Sequence, residues 1–166
     1  MLASAAAFLV FHWLTHRNPD PLPADARADH ILVKKSERSL VLLRGQVPLK
    51  TYRVSLGHRP VGPKQMEGDK RTPEGLYVID RHNDRSTCYL AFHISYPKPE
   101  QVAWAAAHGV SAGGDVMIHG LRNGMGWMGS LHRKVDWTAG CIGVTDEEMD
   151  EIFRAVPDGT PIQIVP

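Results

Sequence analysis

The chain has 166 residues, 43% of them hydrophobic and 22% charged, with a formal net charge of +1. That length supports one domain with a core of ordinary size, and the balance excludes an intrinsically disordered chain. Lysine and arginine are nowhere interleaved with aromatics in a run, so the concentrated basic surface that phosphate binding needs is missing and no nucleic-acid partner is expected.

The chain begins "MLASAAAFLVFHWLTH", apolar from Leu2 to Leu14 apart from Ser4 and His12. As a helix those positions would reach about 20 Å, short of the roughly 30 Å hydrocarbon core, and no basic residue precedes them. They match the apolar part of an export signal. Residues 17–29, "RNPDPLPADARAD", carry Pro19, Pro21 and Pro23 and read as an extended linker. A core helix would rarely be tethered that way. Residues 1–16 are therefore expected to be an export signal or an uncleaved membrane anchor through residues 2–14, and residues 30–166 a folded domain.

Past the linker the pattern is strand-like. "HILVKK" and "SLVLLRG" are short aliphatic runs, and "KTYRVSLG" alternates Tyr52, Val54 and Leu56 with polar positions. Together they predict an antiparallel meander. "VGPKQMEGDKRTPEG" is punctuated by glycine and proline and predicts a loop. "GLYVIDRH" and "CYLAFHISY" predict two more strands. "PEQVAWAAAHG" predicts a short helix started by Pro99 and stopped by Gly109. "DVMIHG" reads as a buried strand ending in a histidine. "TDEEMDEIFRAV" predicts a second helix, capped by Thr145 with Glu148 reaching back, its face of Met149, Ile152, Phe153 and Val156 turned to the core. "TPIQIVP" predicts a last strand. The class is mostly β with two short helices.

Of the two cysteines, Cys88 and Cys141, neither belongs to a disulfide framework, and both are read as free thiols. Taken singly, His119 would be a strand-end residue and Cys141 a buried thiol. Together they make a Cys/His pair at strand and turn boundaries, where positioned catalytic groups tend to sit. Gly140 allows a tight backbone beside Cys141, amides of Gly140 and Cys141 are candidate oxyanion donors, and a nearby imidazole would favour thiolate. Ile142 and Val144 would anchor the turn in the core. Zinc held by His119, His132 and Cys141 lacks any short-range ligand spacing, so no metal or cofactor is expected. His132 reads as peripheral, and Cys88 as a small strand-edge hydrophobe.

"IHG" at 118–120, followed by "TAGCIGV" at 138–144, resembles the signature of the YkuD-type L,D-transpeptidases, a His-Gly pair and then Ser/Thr-x-Gly-Cys-Ile/Val. "GDKRTPEGLYVI" at 68–79 is similar to the family's Thr-Pro-x-Gly segment entering a strand. The resemblance spans residues 31–166 and implies a β-sandwich-like L,D-transpeptidase catalytic fold. It implies cleavage of the bond before the terminal D-Ala of a peptidoglycan tetrapeptide stem, through a Cys141 thioester passed to an amine acceptor, a second stem or an attached protein. It implies Cys141 as nucleophile, His119 as general base and Gly120 as the carbonyl that orients the imidazole. Gly140 and Cys141 would form the oxyanion hole and Thr138 would support the turn. A chain of this kind would work in the cell envelope, periplasmic or extracytoplasmic, secreted or membrane-anchored. Hydrolysis of the same thioester, or wall binding without catalysis, are the competing functions.

Two positions depart from the family pattern. Ala139 stands where many members carry a second histidine, and Gly143 where many carry arginine. Arg122, Arg133 and Lys134 are candidate substitutes for binding the acidic stem, against a reading as solvated loop charges. In "LRNGMGWMGSLHRKVDW" (121–137), Gly124, Gly126 and Gly129 alternate with Met125, Trp127 and Met128. That mixture suggests a mobile apolar cover over the substrate chain, with Trp127 on it.

Overall fold

Aliphatic alternation in the first third of the chain becomes a meander of β1 (His30–Lys34), β2 (Ser39–Arg44) and β3 (Val47–Arg53), each antiparallel to the next. The structure is a computed structural model that describes residues 20–166; the apolar segment 1–16 and the start of the linker lie outside the described residues. Ile31, Val33, Leu40, Leu42 and Tyr52 face inward, as the two-residue period requires. The remaining elements are β4 (Gly75–Asn83), β5 (Ala91–Ile94), α1 (Pro99–Ala107), β6 (Met117–His119), β7 (Ile142–Gly143), α2 (Asp146–Ala155) and β8 (Pro161–Val165). Among the described residues no helix is long and apolar enough to cross a membrane.

The eight strands form one mixed sheet in the order β3-β2-β1-β8-β4-β5-β6-β7. β8, the last strand in sequence, lies at its centre, parallel to β1 from Ile31↔Ile162 onward and antiparallel to β4. β4 changes partner along its length. Gly75–Val78 pair with β8, and the residues from Ile79 onward pair with β5 across an irregularity between Ile79 and Arg81. Such an irregularity bends and twists a strand, and here the sheet curls about a core that includes Ile79, Phe92, Ile94, Ile118 and Ile142. The mostly-β expectation holds, with a half-barrel curvature that no local pattern announces.

The second helix forms as its sequence predicts. Glu148 N–H donates to Thr145 Oγ1 (3.3 Å) and Thr145 N–H to Glu148 Oε2 (3.1 Å), a reciprocal cap worth about 1 kcal/mol. Met149, Ile152, Ala155 and Val156 are buried, while Phe153 stacks on Phe92 with centroids 5.2 Å apart. α1 buries only Ala105 and rides on the surface.

The described part of the linker packs against the domain. Leu22 and Ala28 are buried, Leu22 N–H donates to Glu151 Oε1 (3.0 Å) and Ala28 N–H to the Ala155 carbonyl (2.9 Å). Glu151, itself buried, also accepts from Lys50 Nζ (2.7 Å) and the Tyr52 hydroxyl (3.0 Å). Burial alone would raise its pKa; these donors together hold it below the usual carboxylate range.

Two segments depart from the expected pattern. β3 ends at Arg53, and the chain beyond it leaves the meander. Ser55, expected on an outward face, is buried and bridges to Gly143 across the molecule. The loop expected to form a mobile apolar cover holds a 3₁₀ stretch, Gly126–Lys134, broken at Gly129 (φ 45°).

Candidate active site

His119 ends β6 with its backbone held on both sides. Its carbonyl accepts Val144 N–H (3.0 Å), and Gly120 N–H donates to the Leu90 carbonyl (3.1 Å). Its side chain turns back on the chain, and Nδ1–H donates to the Gly120 carbonyl at 2.7 Å. A carbonyl can only accept, so the neutral ring carries its proton on Nδ1 and a lone pair on Nε2. Residue 120 must be glycine for that turn to seat. A Cβ there would lie 2.7 Å from Asp146 Oδ1 and 2.9 Å from Tyr89 Cβ. Asp146, at the start of α2, also accepts Leu121 N–H at 2.7 Å and fastens the turn to the helix.

Cys141 reaches the same place from far along the chain. β6 and β7 pair in parallel, Ile118 with Ile142 and His119 with Gly143. Extended back one residue, that register sets Cys141 beside Met117, two positions from His119 and therefore on its face of the sheet. Both residues wall one cavity of about 650 Å³. The Cys141 thiol contacts the Asp115 carbonyl at 3.6 Å. Burial pushes the Cys141 pKa up. Burial also pulls the His119 pKa down, with the Gly120 carbonyl opposing it. Desolvation disfavours the charged form of both groups, and so opposes the thiolate that a nearby imidazole would favour.

The turn before Cys141 is organised by Thr138, whose hydroxyl donates to the Cys141 carbonyl (2.7 Å) and accepts Gly140 N–H (3.1 Å). This engages one of the two amides expected as oxyanion donors, since a threonine hydroxyl readily captures the N–H two residues on. Gly140 has φ 143°, and a Cβ on it would sit 2.7 Å from the Arg71 carbonyl. The close approach its lack of side chain permits is thus made by the protein's own backbone.

A second, smaller cavity of about 260 Å³ meets the first at Ala139 and Cys141, with Lys64, Glu67 and Asp115 on its wall. Lys64 is already paired with Asp69 at 2.8 Å. Of the candidate substrate-binding residues, Thr138 and Arg122 line the larger cavity. Trp127 and Arg133 do not. Trp127 is 55% exposed, and Arg133 is ion-paired with Glu148, the residue that closes the α2 cap. Lys134 is likewise outside the wall.

His132, expected to be peripheral, is 3% exposed and forms part of the larger cavity's wall. Its Nδ1 accepts Trp137 Nε1–H (3.2 Å) and lies 3.1 Å from Ser55 Oγ. Burial first, then Arg133 and His119, pull its pKa down to about 3, so the ring is neutral. A signal existed in the spacing of Met125, Met128 and Leu131, three residues apart. That is the 3₁₀ period, and it stacks these side chains along the cavity wall. Trp137 meets His119 edge-on at 5.6 Å and covers Gly143, where a Cβ would be 3.1 Å from its Cζ2. Trp137 thus explains why position 143 carries no larger residue. Among the described residues no group of three or more His, Cys, Asp or Glu could hold a metal ion.

Comparison with known proteins identifies the family and the fold. The curated protein YafK of Escherichia coli K12 is 32% identical over 134 residues, covering 76% of this chain and 46% of YafK. The chain therefore spans about half the length of the curated relatives it matches. The helical cell shape determining protein Pgp2 from Campylobacter jejuni shares the fold, with a TM-score of 0.64 at 20% identity over 95% of this chain and 54% of that one. Bd1075 from Bdellovibrio bacteriovorus superposes at 0.56, with 22% identity over 88% and 54% of the respective chains. Residues 28–164 match the YkuD family, the L,D-transpeptidase catalytic domain, and the chain belongs to that family.

Proposed function

We propose that this domain is a cysteine acyltransferase of the L,D-transpeptidase type, acting on peptidoglycan stem peptides in the cell envelope. The observation that carries the reading is the parallel pairing of β6 with β7, which sets Cys141 and His119 on one face and in one cavity wall. His119 presents a lone pair at Nε2 because Gly120 holds Nδ1. In the first step Cys141 Sγ attacks the carbonyl carbon of the stem's third residue and its proton passes to His119 Nε2. The tetrahedral intermediate collapses, His119 protonates the departing amine, and D-Ala leaves behind a Cys141 thioester. An acceptor amine then attacks the thioester and gives its proton to His119, which returns it to the departing Cys141 thiolate as the new amide forms. The Cys141 amide is the remaining candidate to stabilise the oxyanion, Gly140 N–H being held by Thr138.

Charge supports a division of the two substrates. Arg122 stands at the larger cavity and suits a stem rich in carboxylates. The smaller cavity carries Glu67 and Asp115, and its lysine is neutralised by Asp69, which suits an acceptor that arrives as an ammonium ion and loses one proton to solvent before it attacks as the free amine. The test is intact-mass analysis after incubation with tetrapeptide stems, with and without an added amine acceptor. The expected result is an adduct on Cys141 equal to the stem minus D-Ala, discharged into an amide by the acceptor. Discharge by water at the same rate with and without amine would make the domain a hydrolase. No adduct at any stem concentration would overturn the reading in favour of a wall-binding module.

A further inference from the structure

Next to the smaller cavity at Cys141 lies a third, of about 360 Å³, with Arg59 and Arg71 on its wall. The two cavities adjoin, sharing Glu67 and Gly68. Backbone pairing sets the arginines on neighbouring segments. Arg59 N–H donates to the Lys70 carbonyl (3.0 Å), and Gly57 N–H to Thr72 Oγ1 (3.0 Å). The second of these segments is fastened to the catalytic turn, where the Arg71 carbonyl presses on Gly140. Among the described residues neither guanidinium is in an ion pair. Asp69, an acid on the same wall, is engaged by Lys64 Nζ (2.8 Å) and by the N–H groups of Gln65, Met66 and Arg71. Burial alone would raise its pKa, and these donors instead hold it below the usual carboxylate range. Of the Arg71 guanidinium only Nε is sealed from water, while Nη1 and Nη2 remain open and unpartnered. Two like charges held on one wall without a carboxylate partner repel, and an anion from outside relieves that repulsion.

Resting on the acyltransferase reading, we propose that Arg59 and Arg71 form an anion subsite for the acyl acceptor, selecting amines that carry a carboxylate several bonds from the nitrogen. The charges along the wall run in one order. Glu67 and Asp115 stand on the cavity that holds Cys141 and draw the ammonium end. The arginines stand past Glu67 and draw the carboxylate, to which a guanidinium donates strong paired hydrogen bonds. The acceptor loses one proton to solvent, and its free amine attacks the thioester carbonyl carbon. The C–N bond forms, the C–S bond breaks, and the second amine proton passes through His119 to the sulfur. The carboxylate takes no part in these steps; it holds the amine beside the thioester. An α-amino acid is too short for this, because its carboxylate would lie beside the amine, against Glu67 and Asp115. Water and a bare amine have nothing to offer the subsite. Arg71 is tied to Gly140 through its own backbone, so the subsite and the thioester are held at a fixed separation.

Competition between two acceptors isolates the subsite. Cys141 is acylated by tetrapeptide and offered equal concentrations of ε-aminocaproate and ε-aminocaproamide, which share the amine and differ in the carboxylate. The ratio of the two amide products is read by mass spectrometry, and it is independent of how fast the thioester formed. The expected ratio is about tenfold in favour of the carboxylate at low salt, narrowing as salt is added. Arg59→Gln and Arg71→Gln are each expected to lower it severalfold, and the double variant to bring it to about one. Arg59 is exposed and leaves the Gly140 contact alone, so its variant reads the subsite even if the Arg71 change disturbs the turn. A wild-type ratio near one, or a preference that survives in Arg59→Gln and in the double variant, would overturn the proposal. Discharge of the thioester into water alone would overturn it as well and leave a hydrolase. Failure of the wild-type protein to form any adduct is a separate result that removes the acyltransferase reading, and this inference with it.

Discussion

The two cavities that meet at Cys141 differ in kind. The larger is walled mainly by Met125, Met128, Leu131 and Trp137 along with the two imidazoles, with Arg122 among its few polar groups. The smaller is floored by glycine backbone and edged by Glu67, Asp115 and Lys64. An apolar wall with a few oriented donors holds an extended chain in one pose, because each misplaced polar group there goes unpaired. A small charged cleft selects by sign and is screened by salt. Under the proposed reading, one sulfur would serve both a donor held by the apolar wall with Arg122 and an acceptor drawn by charge.

The largest expected effect comes from removing what the cavities share. Cys141→Ala is expected to abolish both adduct formation and amide transfer, by about 10⁴-fold or more, in a protein with an unchanged melting curve. Retained turnover measured by product release would separate the cavities from the chemistry altogether. Next is the pH response of the resting thiol. Burial raises the Cys141 pKa and lowers that of His119, so neither is charged near neutrality. Iodoacetamide alkylation is therefore expected to climb about tenfold per pH unit from pH 6 upward, to a midpoint at or above the roughly 8.5 of a free thiol. A plateau already reached by pH 6 would mean a resting ion pair and a wetter site than the cavity wall suggests.

The remaining two tests address each cavity separately. Leu131→Asp places a charge in the apolar wall and is expected to raise the half-saturating tetrapeptide concentration by about tenfold, while the share of thioester captured by an amine stays constant. Glu67→Gln with Asp115→Asn should do the opposite. Acylation is unaffected, and amine capture falls by about threefold at low salt, with the difference closing as salt is added. Asparagine is chosen at residue 115 because its φ of 51° is one that asparagine tolerates. If Leu131→Asp and the Glu67→Gln/Asp115→Asn pair act on the same step, the division of donor and acceptor between the cavities is wrong.

Much of the fold is legible along the chain. The alternation in β1 and β2, the Thr145/Glu148 cap and the apolar stripe of α2 are local patterns with local causes, and each forms where the sequence predicts it. β8 is legible as a strand but not as the centre of the sheet, because its parallel partner β1 lies some 130 residues away and no local feature names a partner. Ser55 fits an exposed alternating position until the chain leaves the meander to reach Gly143 and His132. Arg133 reads as a substrate ligand only while its partner Glu148 is unseen.

The site divides in the same way. A histidine before a glycine, a cysteine after one and a threonine three residues before that cysteine are chemical types that the sequence alone supplies, and they sufficed to name the family. Where they sit was decided by pairing across the chain, with β7 beside β6, Arg71 pressed against Gly140, and Trp137 laid over Gly143. Local propensities act over a turn or two, whereas burial and hydrogen-bond satisfaction are settled by whatever the sheet brings alongside. That is why His132, unremarkable in its own loop, emerges as a sealed donor only once the sheet has closed around it.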